Sequence, residues 1–166
     1  YTISGAPRVI KGKVMIGNGG SEMGVRGYVS AFYAITGKMI WRFYTVPGPG
    51  LFGSNTWPAD NEWQTGGATV WNTPSVDPKL GLLYFTTGNA YPWSTRGPGD
   101  NLFTSSFVAL DAATGAYRWH YQVCPAEQWD CTATADMTLA ELEIEGKPRK
   151  VLMQPPKNGF FYVLLS

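Results

Sequence analysis

The chain has 166 residues and a formal charge of +1 (thirteen Lys+Arg against twelve Asp+Glu), and only 15% of its residues are charged against roughly 25% in typical soluble proteins. So weak and balanced a charge argues against a disordered polyelectrolyte, a nucleic-acid-binding stripe and a polybasic membrane surface. Aromatic residues make up 14%, and twenty Gly and twelve Pro punctuate the chain, which suits short strands, tight turns and buried Trp. In chain order, strand-like runs occur at residues 14–16, 28–33, 40–44, 82–86, 107–110, 117–121, 150–153 and 160–165, separated by Gly, Pro, Asn and Asp. Helical periodicity is scarce, and the best helical candidate, residues 137–142, is short. These signals predict an all-β protein.

The longest apolar run, residues 160–165, falls far short of the ~18 residues of a membrane helix, so no membrane span is expected in this segment. No signal-peptide pattern opens the chain. It begins on a strand-like Tyr1-Thr2-Ile3 and stops within an apolar run, so both ends read as cut from a longer protein. Cys124 and Cys131 match no common zinc spacing and no haem-attachment motif, leaving a disulfide and two free thiols equally open.

A repeat is visible. Residues 109–119 (Ala-Leu-Asp-Ala-Ala-Thr-Gly-Ala-Tyr-Arg-Trp) align with residues 31–41, sharing Ala, Thr-Gly and Trp at fixed offsets, 78 positions apart from Ala31 to Ala109. Each copy reads as strand, Thr-Gly turn and strand with an inward Trp, the unit of a propeller blade. At ~40 residues per blade the spacing suggests two blades, with a degenerate middle copy near residues 76–84. The expected fold is therefore a partial β-propeller of about three to four four-stranded blades.

The Ala-x-Asp-x-x-Thr-Gly-x-x-x-Trp run at residues 109–119 resembles the tryptophan-docking repeat of quinoprotein dehydrogenases. The likeness extends to residues 19–28 (Gly-Gly-Ser-Glu-Met-Gly-Val-Arg-Gly-Tyr), 66–71 (Gly-Gly-Ala-Thr-Val-Trp), 87–89 (Thr-Gly-Asn), 128–130 (Gln-Trp-Asp) and 156–160 (Pro-Lys-Asn-Gly-Phe), in the family's order. The chain thus resembles the central part of an eight-bladed, pyrroloquinoline quinone (PQQ) dependent alcohol dehydrogenase, with residues 1–166 belonging to one PQQ-binding propeller domain.

That resemblance implies roles residue by residue. Glu22 and Asn89 would supply oxygen ligands to Ca2+, a hard cation suited to oxygen. Trp71 would stack on the planar cofactor, Thr69 would bond a cofactor carboxylate, and Ser4, Gly20 and Ser21 would contact the cofactor, Ser21 standing where the family has Ala. Lys157 would reach the quinone oxygens. Asp130 would act as general base, taking the hydroxyl proton while a hydride passes to PQQ and the cation acts as Lewis acid. Lanthanide-using relatives carry an extra Asp two positions after the base, where this chain has Thr132, so calcium is expected. Cys131 replaces the Tyr usual after that Asp, and pairing with Cys124 would stiffen the loop. Tyr33 stands where the docking repeat prefers Asp.

The resemblance further implies oxidation of a small alcohol to an aldehyde, an electron acceptor such as a cytochrome c or a quinone, and a periplasmic location. A haem c would belong to a part outside this segment, and no nucleic-acid partner is expected. Two other functions compete: a related PQQ-dependent dehydrogenase of sugars or polymeric alcohols, and a non-catalytic binding propeller. Among the remaining residues, Arg26 suits a structural ion pair as well as a cofactor contact. His120, Trp41 and Trp119 are expected to be structural.

Overall fold

The computed structural model describes residues 1–92 and 99–166. Eleven strands alternate with turns among them: β1 (Arg8–Ile10), β2 (Lys13–Gly17), β3 (Tyr28–Tyr33), β4 (Met39–Tyr44), β5 (Ser75–Asp77), β6 (Leu82–Thr86), β7 (Ser106–Asp111), β8 (Tyr117–Gln122), β9 (Thr138–Ile144), β10 (Lys147–Gln154) and β11 (Tyr162–Leu165). They form three antiparallel meanders: β1–β4, β5–β8 and the three-stranded β9–β11. The all-β expectation holds, and the blade count lies at its lower bound, with three strands in the last sheet among the described residues. Among those residues no helix is long and apolar enough to cross a membrane.

Side-chain alternation explains how the sheets stack. Successive strand residues point to opposite faces. In the middle sheet, Leu83, Phe85, Val108 and Leu110 pack with Met15, Val29, Ala31 and Trp41 of the first sheet. Their neighbours Tyr84, Phe107 and Ala109 pack the other way, with Ala133, Met137 and Leu152. The middle sheet is therefore covered on both faces, and each large side chain so buried contributes about 1.5–3 kcal/mol.

The repeat is a docking device. Gly115 in the β7–β8 turn has φ +74, and a Cβ added there would lie 2.6 Å from Cδ2 of Trp41. The indole of β4 thus lies directly against the turn of the next sheet, where only glycine fits. The 78-residue spacing consequently measures one blade, not two: both copies are the last hairpins of adjacent sheets. The excess length is the excursion between β4 and β5, residues 45–74, which builds a small core of Val46, Trp57, Ala68 and Ala90. The supposed middle copy is the β5–β6 hairpin within the second sheet.

Residues 137–142 are mostly strand β9, not helix. Glu145 (φ 53) and Gly146 (φ 71) close a two-residue turn that pairs Ile144 with Lys147 and sets the register along β10. Strands β1 and β5 span three residues each, too few for a sequence pattern to register.

A meander sends alternate connections to opposite ends. The links β1–β2, β3–β4, β5–β6, β7–β8 and β9–β10 are tight turns. The links β2–β3, β4–β5, β6–β7, β8–β9 and β10–β11 are the long ones, and they carry Glu22, Thr69 and Trp71, Asn89, Asp130 and Lys157 respectively.

Candidate active site

Backbone hydrogen bonds zip the long connections together. Residues 66–69 run between two other segments. On one side Gly27 N–H donates to Gly67 O (2.7 Å) and Gly67 N–H to Val25 O (3.0 Å). On the other, Ala68 N–H donates to Asn89 O (2.7 Å) and Tyr91 N–H to Gly66 O (3.1 Å). Gly67 allows this close approach: its φ is +74, and a Cβ there would meet Asn89 O at 2.9 Å. Farther along, Gly88 N–H bonds Thr69 O (2.9 Å) and Ala133 N–H bonds Thr87 O (3.2 Å), which draws in the loop that carries Asp130.

The result is one open cavity of about 550 Å3, within the range of small-molecule sites. Its wall includes all nine residues singled out from sequence: Ser4, Gly20, Ser21, Glu22, Thr69, Trp71, Asn89, Asp130 and Lys157. Thr2, Thr132, Thr134 and Pro156 complete much of the lining. Sequence reasoning missed the hydroxyls of Thr2 and Thr134. The alternation Thr132-Ala133-Thr134, beginning two positions after Asp130, was the available signal for the latter.

Each side chain has a defined setting. Glu22 sits in a short 3-10 turn, Ser21–Met23, after Gly20. Its Oε1 accepts from Nδ2 of the buried Asn89 at 3.4 Å, and the same amide donates to Ala90 O at 3.0 Å. The two side chains are close enough to share one ion, provided the Asn89 amide turns to present its oxygen. Among the described residues no group of three His, Cys, Asp or Glu is poised for a metal, so a hard cation here would draw on other oxygens as well, from carbonyls, water or a bound ligand. Ser21 Oγ and Thr69 Oγ1 share a hydrogen bond of 2.7 Å in a buried position. Ser4 Oγ donates to Trp71 O at 3.1 Å. Trp71 is 41% exposed, with its indole on the cavity wall.

Asp130 and Lys157 form the opposite rim. Lys157 Nζ lies 3.7 Å from Asp130 Oδ2 and donates to Asp130 O at 3.3 Å. Cys124 and Cys131 form a disulfide, which settles the question the sequence left open. The arrangement offers a flat aromatic surface, buried hydroxyl donors, an ammonium group and two separated carboxylates. That donor set fits a planar, anionic ligand held beside a cation.

Two other candidates lie away from the cavity. Among the described residues Arg26 has no ion-pair partner, and it does not line the cavity. Its guanidinium sits 3.9 Å over Tyr44 and 4.6 Å from Trp63, and its Nε donates to Val46 O at 2.8 Å. Burial lowers its pKa, against the raising influence of Tyr44 and Tyr1. His120 Nδ1 bonds the Tyr117 hydroxyl at 2.7 Å and packs edge-on to Phe103, and burial depresses its pKa, as suits a structural histidine.

The sequence and the fold have close counterparts. A quinohemoprotein alcohol dehydrogenase, ADH IIB of Pseudomonas putida, is 58% identical over 99% of this chain and 26% of its own length. The enzyme of the same description from Comamonas testosteroni is 48% identical over 98% of this chain and 25% of its own length. Among solved structures, ADHIIG of Pseudomonas putida superposes with a TM-score of 0.91 at 56% identity, covering 98% of this chain and 26% of that one. A europium-containing methanol dehydrogenase reaches 0.90 at 37%, covering 98% of this chain and 31% of that one. The chain therefore spans about a quarter of the length of the curated relatives it matches. A family model described as the glucose/ethanol/alcohol dehydrogenase β-propeller domain, PQQ, matches residues 1–165, and the chain belongs to that family.

Proposed function

We propose that residues 1–166 belong to a single PQQ-binding propeller domain of a periplasmic quinoprotein dehydrogenase. It would oxidise a small primary alcohol to an aldehyde and pass the electrons to a cytochrome c or a quinone. The observation that carries this reading is the convergence of nine residues from six separate segments on one cavity wall. Relatives described as alcohol dehydrogenases, and one as a 1-butanol dehydrogenase (cytochrome c), support the substrate class and the acceptor.

When bound, PQQ supplies the two-electron acceptor and Ca2+ the Lewis acid. The chain's own residues do the rest. Glu22 and Asn89 hold the cation. Trp71 supports the flat face of the ligand. Either hydroxyl can donate in the Ser21–Thr69 hydrogen bond, and with Ser21 as donor the Thr69 O–H is left to donate outward to a carboxylate. Gly20 and Ser4 shape the adjoining wall. Asp130 accepts the hydroxyl proton at its carboxylate, and Lys157 places a positive charge on the same rim. Calcium suits the site better than a trivalent ion, because the third acid such an ion favours is replaced by the neutral Thr132.

Titration of the protein with PQQ and Ca2+, followed by dye reduction with primary alcohols, tests the reading. Cofactor absorbance and alcohol-dependent turnover are expected. Turnover with sugars or polymeric alcohols alone would shift the assignment to a sister quinoprotein dehydrogenase. Neither absorbance nor turnover would leave a binding propeller.

A further inference from the structure

Asp130 is carried by a segment with little support of its own. Residues 123–137 lie between β8 and β9 outside any strand. The backbone is tied down at Val123, whose N–H bonds Ser105 O at 2.9 Å, and at Ala133, whose N–H bonds Thr87 O at 3.2 Å, with one longer tie between them, Ala126 N–H to Asp100 O at 3.4 Å. Between those anchors, Pro125, Ala126, Gln128 and Trp129 are exposed, Trp129 by 89%. Asp130 itself has φ 62, and the hydrogen bonds and ion pairs described place only Lys157, at 3.7 Å, beside its carboxylate. Nothing in the ladder of strands therefore fixes where that carboxylate points.

The disulfide does. It joins Cys124 to Cys131, the residue directly after Asp130, across a separation of seven. Both cysteines pack against the cluster of Tyr84, Phe107, Ala109 and Leu152 shared by the second and third sheets. Cys131 O accepts from Oγ of the fully buried Ser105 at 2.5 Å. The bond thus staples both ends of the exposed hairpin-like segment to one rigid core, one residue from the carboxylate.

We infer that the Cys124–Cys131 disulfide is a positioning element for Asp130, holding its carboxylate over the cavity in the orientation that accepts a substrate proton. The inference rests on the reading of Asp130 as that acceptor. A misplacement of about 1 Å can cost on the order of 100-fold in rate while leaving ligand binding intact.

The test uses the holoenzyme with the paired substitution C124S/C131S, and C124A/C131V in parallel so that loss of apolar contact is controlled. Expected are unchanged PQQ content by absorbance, unchanged KM, and a kcat lower by about 10- to 100-fold. Amide hydrogen exchange should quicken in residues 125–130 but not in Ser106–Asp111. Adding D130N should lower kcat less in the disulfide-free background than in the parent. A kcat within about twofold of the parent, or failure of both variants to fold and bind PQQ, overturns the inference, the second result assigning the bond to folding alone. A parent that binds no PQQ overturns the functional reading and this inference with it. An active parent indifferent to the disulfide overturns the inference only.

Discussion

Nδ2 of Asn89 stands 3.4 Å from Oε1 of Glu22, although 67 positions separate the two residues in sequence. The contact exists because residues 66–69 are hydrogen-bonded to the β2–β3 connection on one side and the β6–β7 connection on the other. Neither side chain alone is a credible metal site. In the proposed function, the two together would provide the protein's share of an oxygen shell.

E22A and N89A should each weaken Ca2+ retention by an order of magnitude or more, the charged ligand costing more than the amide. Metal content after dialysis measures this. The circular dichroism spectrum should not change, since both residues lie outside the strands.

D130N should lower kcat by about 100- to 10,000-fold, the usual contribution of a general base, with PQQ stoichiometry unchanged. Stopped-flow dye reduction with a saturating primary alcohol gives the comparison. A variant as fast as the parent removes Asp130 from the chemistry.

G115A should destabilise by about 2 kcal/mol or more. A methyl group there meets the Trp41 ring at 2.6 Å, on a residue held at positive φ. W41A should cost about 3–5 kcal/mol from the cavity it leaves. The pair should be non-additive in denaturant unfolding, because once the indole is gone the added methyl has space.

Asp111 offers a pH signature. The Arg118 guanidinium at 2.8 Å lowers its pKa to about 2, helped by Thr114 and the backbone N–H of Ala113. The native carboxyl is thus more acidic than the unfolded one, so its stabilisation is fully present above about pH 4 and disappears as pH falls toward 2. Because Arg118 is half exposed, solvent screening reduces the contribution to about 1 kcal/mol. D111N should therefore lower the denaturation midpoint at pH 7 and leave it nearly unchanged at pH 2.

Much of this was legible in the residues. Strands at 28–33 and 82–86 match end to end, since the breakers that flank them are local. Eight of the nine candidate residues that line the cavity sit in short contiguous motifs visible in the sequence, Ser4 being the exception. Their convergence was not visible there, since it arises from backbone pairing between segments about 20–45 residues apart. The same limit hid the setting of Arg26, whose partners Tyr44 and Trp63 lie 18 and 37 positions away. The blade period was misjudged because a 30-residue excursion between β4 and β5 imitates a missing blade. Strand β9 was misjudged because its register is imposed by a hairpin that follows it.

That excursion has a consequence for how such a protein can diverge. Residues 45–65 gather around Trp57, which packs with Val46, Ala68 and Ala90, and they are tied to the β6–β7 connection where Phe103 N–H donates to Thr45 O and Asn101 N–H to Thr56 O. Beyond those ties the exposed stretch 59–61 can change length without displacing Glu22, Thr69 or Asn89. That surface segment can thus vary on its own, whereas the cavity-lining residues can be moved only by disturbing the backbone bonds that join the long connections.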